Sequence, residues 1–142
     1  MTVRTASAVW EGGLRNGNGT FSVQSGAVGG EYSFPTRFEE KPGTNPEELI
    51  GAAHAACFSM AFSGGLEAAG FPPTRVSTTA KVHLEKGAGG FGITRIELFT
   101  DAVVPGIDEA TFQAQAEAAK VGCPVSKVLA GAAITLSATL AG

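Results

Sequence analysis

With 142 residues, 44% of them hydrophobic and 16% charged, the chain can bury one core and is too apolar to be disordered, so a single domain spanning 1–142 is expected. A net charge of −3, with no Lys or Arg cluster, argues against nucleic acid and against an anionic membrane surface as partners. The longest apolar run, near 49–62, is broken by Gly51, His54 and Ser59 and falls short of the roughly 20 residues a membrane span needs; the opening Met-Thr-Val-Arg-Thr-Ala-Ser lacks a secretory h-region, so a cytoplasmic location is expected.

Residues 5–38 read as short strands: Val9–Trp10, Thr20–Val23 and Glu31–Phe38 are rich in β-branched or aromatic residues and are punctuated by glycines. A helix over Glu47–Ala69 follows, with Asn45 as N-cap, Pro46 at the first helical position and Glu48 at the third. This helix is apolar nearly all round, as expected of one enclosed by sheets or by a partner chain, and Gly70 with Pro72–Pro73 ends it. Alternation over Val76–Leu84, a turn at Gly87–Gly90 and a strand over Phe91–Val104 predict a long hairpin. Asp108 caps a second long helix ending at Lys120–Gly122, Pro124 opens a short one, and Ile134–Leu140 alternates as a final strand. The order βββ-α-ββ-α-α-β predicts an α+β domain with antiparallel sheet.

The chain has two cysteines. Cys57 lies within the apolar helix and reads as buried and gated; Cys123, before Pro124 at a helix start, reads as the more accessible thiol. In a reducing compartment such a pair points to redox chemistry, sensing or metal binding rather than a static cross-link. A nucleophilic Cys57 needs a fixed cation, and Arg37, set among aromatic neighbours, is the candidate, with Glu47, spared from capping, as its carboxylate. Both also have bland readings, Arg37 as a snorkelling strand residue and Glu47 as a first-turn acid. An axial rise of about 15 Å separates Glu47 from Cys57 on one helix, so a site shared across a two-fold interface is expected. His54 lies three residues before Cys57 and could join a metal site or act as a base. No paired-ligand spacing and no third orienting group support those roles, so a satisfied core histidine is the expectation. The glycine runs lack a phosphate-loop pattern, and neither cofactor nor metal is expected.

Thr44-Asn-Pro-Glu-Glu-Leu-Ile-Gly-Ala-Ala-His-Ala-Ala-Cys-Phe-Ser-Met60 resembles the central-helix motif of the OsmC/Ohr family, the osmotically inducible protein C and organic hydroperoxide resistance proteins. Val104-Pro-Gly-Ile-Asp108 and Ala119-Lys-Val-Gly-Cys-Pro-Val-Ser126 resemble its second half, and Trp10-Glu-Gly and Thr36-Arg-Phe-Glu support the match near the start. The Arg and Glu placements favour the OsmC branch. The resemblance implies an OsmC-like fold with antiparallel sheets packed around a long central helix, and a swapped homodimer with two sites at its interface. It maps the peroxidatic cysteine to Cys57, the resolving cysteine to Cys123, the activating arginine to Arg37 and its orienting glutamate to Glu47. The implied activity is reduction of organic hydroperoxides, and more weakly hydrogen peroxide, in stress defence. Cys57 would become a sulfenic acid and close a disulfide with Cys123, which an external dithiol reopens, a lipoylated protein being one such donor. The rival expectation is a non-enzymatic stress protein that binds an apolar ligand at the dimer interface and uses its cysteines as a redox switch; a third has Cys57 as inert core and Cys123 as an inert cap.

Overall fold

The computed structural model describes residues 2–141, which divide into two compact units, one up to Leu49 and one from Ile50 onward. In the first, β1 (Ala6–Glu11), β2 (Asn18–Val23) and β3 (Gly29–Tyr32) form an antiparallel sheet in the order β1-β2-β3. Gly19 pairs with Tyr32, and a Cβ there would come within 2.5 Å of the Tyr32 ring and 2.7 Å of the Trp10 ring, so only glycine lets those aromatics settle across the sheet. Trp10 and Tyr32 pack at a centroid distance of 5.5 Å, and Phe21 meets Tyr32 edge-on.

The strand expected over Glu31–Phe38 stops at Tyr32; residues Phe34–Phe38 form a short helix, α1. Ser33 is the reason. Its N–H donates to Thr36 Oγ1 at 2.8 Å while its own hydroxyl accepts from the Thr36 N–H, and Pro35 sits in the first turn. Reciprocal capping plus a pre-set proline φ outweighs the strand preference of the flanking aromatics. Asn45 then starts the long helix α2 (Pro46–Ala68), its Oδ1 accepting from the Glu48 N–H at 2.8 Å as the sequence led us to expect.

In the second unit, β4 (Arg75–Gly87), β5 (Gly90–Val103) and β6 (Ala133–Leu140) form a sheet in the order β4-β5-β6. The β4–β5 hairpin is antiparallel, but β5 and β6 pair in parallel, from Arg95 with Ala133 to Ala102 with Leu140. The antiparallel sheet expected from the sequence is therefore mixed. The return to β6 runs through two helices, α3 (Glu109–Gly122) and α4 (Pro124–Val128), and a crossover of that length allows the parallel direction.

Phe58, Phe62 and Leu66 of α2, Ile96, Leu98 and Ala102 of β5, and Phe112, Ala116 and Ala119 of α3 make the core. Helix α2 ends as the glycine signal requires: Gly70 takes φ +94°, its N–H bonds the Glu67 carbonyl, and the Phe71 N–H reaches back to Leu66. At 23 residues α2 is longer than the apolar run counted from sequence, and by length and composition alone it could cross a membrane. Here one stripe of it, Gly51, His54, Phe58, Phe62 and Leu66, is buried within a folded unit. A second stripe, Leu49, Ala53, Ala56, Met60 and Gly64, is exposed in the single chain.

Candidate active site

Arg37 projects from α1 and Glu47 from the first turn of α2, and the two meet in a fork: Arg37 Nε lies 3.0 and 3.2 Å from the carboxylate oxygens, and Nη2 lies 2.8 Å from Oε1. Glu47 is buried and the Arg37 side chain keeps 36% of its surface open, so the carboxylate is committed to one partner while part of the guanidinium is left for another. Asn45 fixes the spacing. Besides capping α2 it donates through Nδ2 to the Thr36 carbonyl at 3.0 Å, tying α1 to the start of α2. Sequence reasoning found the cap but missed this second bond, because a carbonyl acceptor carries no residue-type signal. The Phe38 ring lies beneath the guanidinium, 5.2 Å from centroid to Cζ. Trp10, Leu14, Tyr32, Phe34 and Phe38 line a cavity of about 240 Å³ against the same arginine. Arg37 thus stands on a helix, not on the expected strand, but it has the carboxylate that was expected for it.

In the second unit the two sulfurs are 2.8 Å apart, Cys57 from the middle of α2 and Cys123 from the joint between α3 and α4. The expected accessibilities are reversed: Cys123 is fully buried and Cys57 is half-buried. Cys123 is enclosed because it ends one helix and begins the next with no loop between them. Cys57 is partly open because it borders the uncovered stripe of α2. Burial pushes the Cys57 thiol up, and its hydrogen bond with Cys123 adds to that, against a smaller pull from the Val125 backbone. Burial also opposes ionisation of Cys123, but Cys57, the Ser126 backbone and hydroxyl and the Val125 backbone outweigh it, so that thiol sits below its ordinary value.

His54 is not the satisfied core histidine that was expected. Its Nε2 lies 2.7 Å from Ser126 Oγ, while its Nδ1 is buried without a partner among the described residues. Burial also holds its pKa below the ordinary histidine value. Ser126 lies one helical turn beyond Cys123 and stood in the quoted Cys-Pro-Val-Ser motif; its spacing was the available signal.

A family model described as OsmC-like protein matches residues 38–138. The chain belongs to the OsmC-like family. It is 55% identical over 131 residues to the peroxiredoxin OsmC of Escherichia coli (strain K12), covering 91% of this chain and 92% of that protein. It is 38% identical over 94 residues to an organic hydroperoxide resistance protein of Xanthomonas axonopodis pv. citri, covering 63% of this chain and 61% of the other. Among solved structures, an organic hydroperoxide resistance protein from Elizabethkingia anophelis superposes with a TM-score of 0.75 at 28% identity, covering 99% and 98% of the two chains. The higher identity and fuller coverage put this OsmC-like chain on the OsmC branch, as the Arg37 and Glu47 placements led us to expect.

Proposed function

We propose that the chain is a thiol-dependent peroxidase that reduces organic hydroperoxides, and more weakly hydrogen peroxide, with 1–142 acting as one catalytic domain in the cytoplasm. The observation that carries this is the 2.8 Å approach of Cys57 to Cys123 in a chain 55% identical to a peroxiredoxin. Half-buried Cys57 is the sulfur a peroxide can reach, and enclosed Cys123 is the one held ready behind it. The Cys57 thiolate attacks one peroxide oxygen, the O–O bond breaks, an alkoxide leaves and takes up a proton as the alcohol, and Cys57 is left as sulfenic acid. Cys123 attacks that sulfur, a disulfide forms and water leaves. An external dithiol, for which a lipoylated protein is one candidate, then reopens the bond by exchange.

Cys57 needs a cation to ionise against its burial, and in this reading the Arg37–Glu47 pair of a second copy supplies it. One observation supports a swapped homodimer. The stripe Leu49, Ala53, Ala56, Met60 and Gly64 of α2 is apolar, small-residued and uncovered, the surface that another central helix would pack on. The Arg37 fork leaves guanidinium surface free beside a cavity of aromatic side chains, which suits an apolar hydroperoxide. The test is consumption of cumene hydroperoxide with excess dihydrolipoamide. Cys57→Ser is expected to abolish turnover; wild-type rates from it would end the peroxidase reading and favour a binding protein with a redox switch.

A further inference from the structure

Three polar groups converge behind the sulfur pair in the second unit. His54 Nε2 and Ser126 Oγ are 2.7 Å apart, the Ser126 hydroxyl lies against the Cys123 sulfur, and Cys123 is 2.8 Å from Cys57. Both His54 and Ser126 are buried, at 0% and 4% exposure, so the contact is walled off from water. The imidazole's other nitrogen has no partner among the described residues, which is what a histidine kept only for packing would avoid. Burial keeps the ring neutral, and a neutral ring can accept a proton.

We infer that His54 is a positioning residue for the resolving step, taking the Cys123 thiol proton through the Ser126 hydroxyl as Cys123 attacks oxidised Cys57. This rests on the peroxidase reading above. As the S–S bond forms, the Cys57 S–O bond breaks and hydroxide leaves with its electron pair. The Cys123 proton moves to Ser126 Oγ while the Ser126 proton moves to His54 Nε2. Hydroxide takes a proton from solvent to become water. Because burial favours the neutral ring, His54 gives its proton up again once the disulfide has closed, and when a dithiol later reduces the bond the released Cys123 thiolate takes a proton from the dithiol. Sulfur 57 is reduced from the sulfenic level and sulfur 123 oxidised by the same bond, so the step needs no further oxidant. The arrangement also explains how a fully enclosed thiol can lose a proton that bulk water cannot collect directly.

The experiment is a single turnover with one equivalent of cumene hydroperoxide, quenched at intervals and read by mass spectrometry as dimedone-trapped sulfenic acid against Cys57–Cys123 disulfide. In His54→Gln and Ser126→Ala, disulfide formation relative to trapped sulfenic acid is expected to slow about a hundredfold, the usual reach of a positioned proton acceptor, while Ser126→Thr, which keeps the hydroxyl, recovers most of the rate. Wild-type disulfide formation should slow about twofold in deuterium oxide, and that isotope effect should fall toward one in His54→Gln, a readout that lost packing would not move. Wild-type resolution rates in folded His54→Gln overturn the relay alone. An isotope effect near one in the wild type does so too, without relying on any variant. If the wild type consumes no peroxide, the peroxidase reading falls and the relay falls with it.

Discussion

Phe62 shows how single side chains hold the second unit together. It is fully buried, with ring centroids 5.6 Å from Phe58 and 5.3 Å from Phe112, so it joins α2 to α3. Phe62→Ala should cost about 3–5 kcal/mol, measured by urea unfolding, because the cavity left among rings can collapse only in part. A loss under about 1 kcal/mol would mean that the core repacks freely. The Arg37–Glu47 fork was legible in the sequence because Asn45, Pro46 and Glu48 were assigned the duties of the helix start, which left Glu47 idle. The ranking of the two thiols was not legible. Apolar neighbours in sequence suggested that Cys57 was enclosed, yet enclosure depends on what covers each helix face, and one face of α2 is uncovered in the single chain.

At the scale of elements, caps were the most readable features. Asp108 accepts from the Thr111 N–H at 2.9 Å and from its hydroxyl at 2.7 Å, and the Thr111 bonds hold the Asp108 carboxyl below its ordinary value. The sign follows: a carboxyl with a lower pKa folded than unfolded stabilises the fold above its ordinary value, and that contribution is lost as the pH falls through the lower folded value. Asp108→Ala should therefore lower the melting temperature by about 2–4 °C at pH 7, and the gap to wild type should close in acid. A constant gap from neutral pH into acid would show that the cap acts without its charge. Helix α1 was hidden because Tyr32-Ser-Phe-Pro-Thr-Arg-Phe38 has strand-like composition, and the Ser33–Thr36 box that overrides it spans only four residues. The direction of β6 was hidden for another reason. Alternation of period two is the same in parallel and antiparallel strands, so Ile134, Leu136, Ala138 and Leu140 declare a half-buried, core-facing side but not a direction.

The whole molecule raises the question of which chain completes each site. If Arg37 acts on Cys57 of a second copy, mixing Cys57→Ser chains with Arg37→Ala chains should restore activity that neither has alone. Random pairing makes half the dimers mixed, each with one intact site of two, so about a quarter of wild-type turnover is expected. No recovery, with mixed dimers present by native mass spectrometry, would place both groups on one chain. The apolar character of α2 in sequence pointed to such a partner, and the uncovered Met60 stripe keeps that expectation open to this measurement.

The sulfur pair has a thermal corollary. Cys57 and Cys123 are 66 positions apart, so a covalent link between them would tie off a large loop of the denatured chain, a restraint worth about 4 kcal/mol. The oxidised form should then melt about 10 °C above the reduced form. A stability curve would thereby serve as a gauge of how much of a sample waits for its reductant, since each catalytic cycle alternately fastens and loosens α2 against the α3–α4 joint.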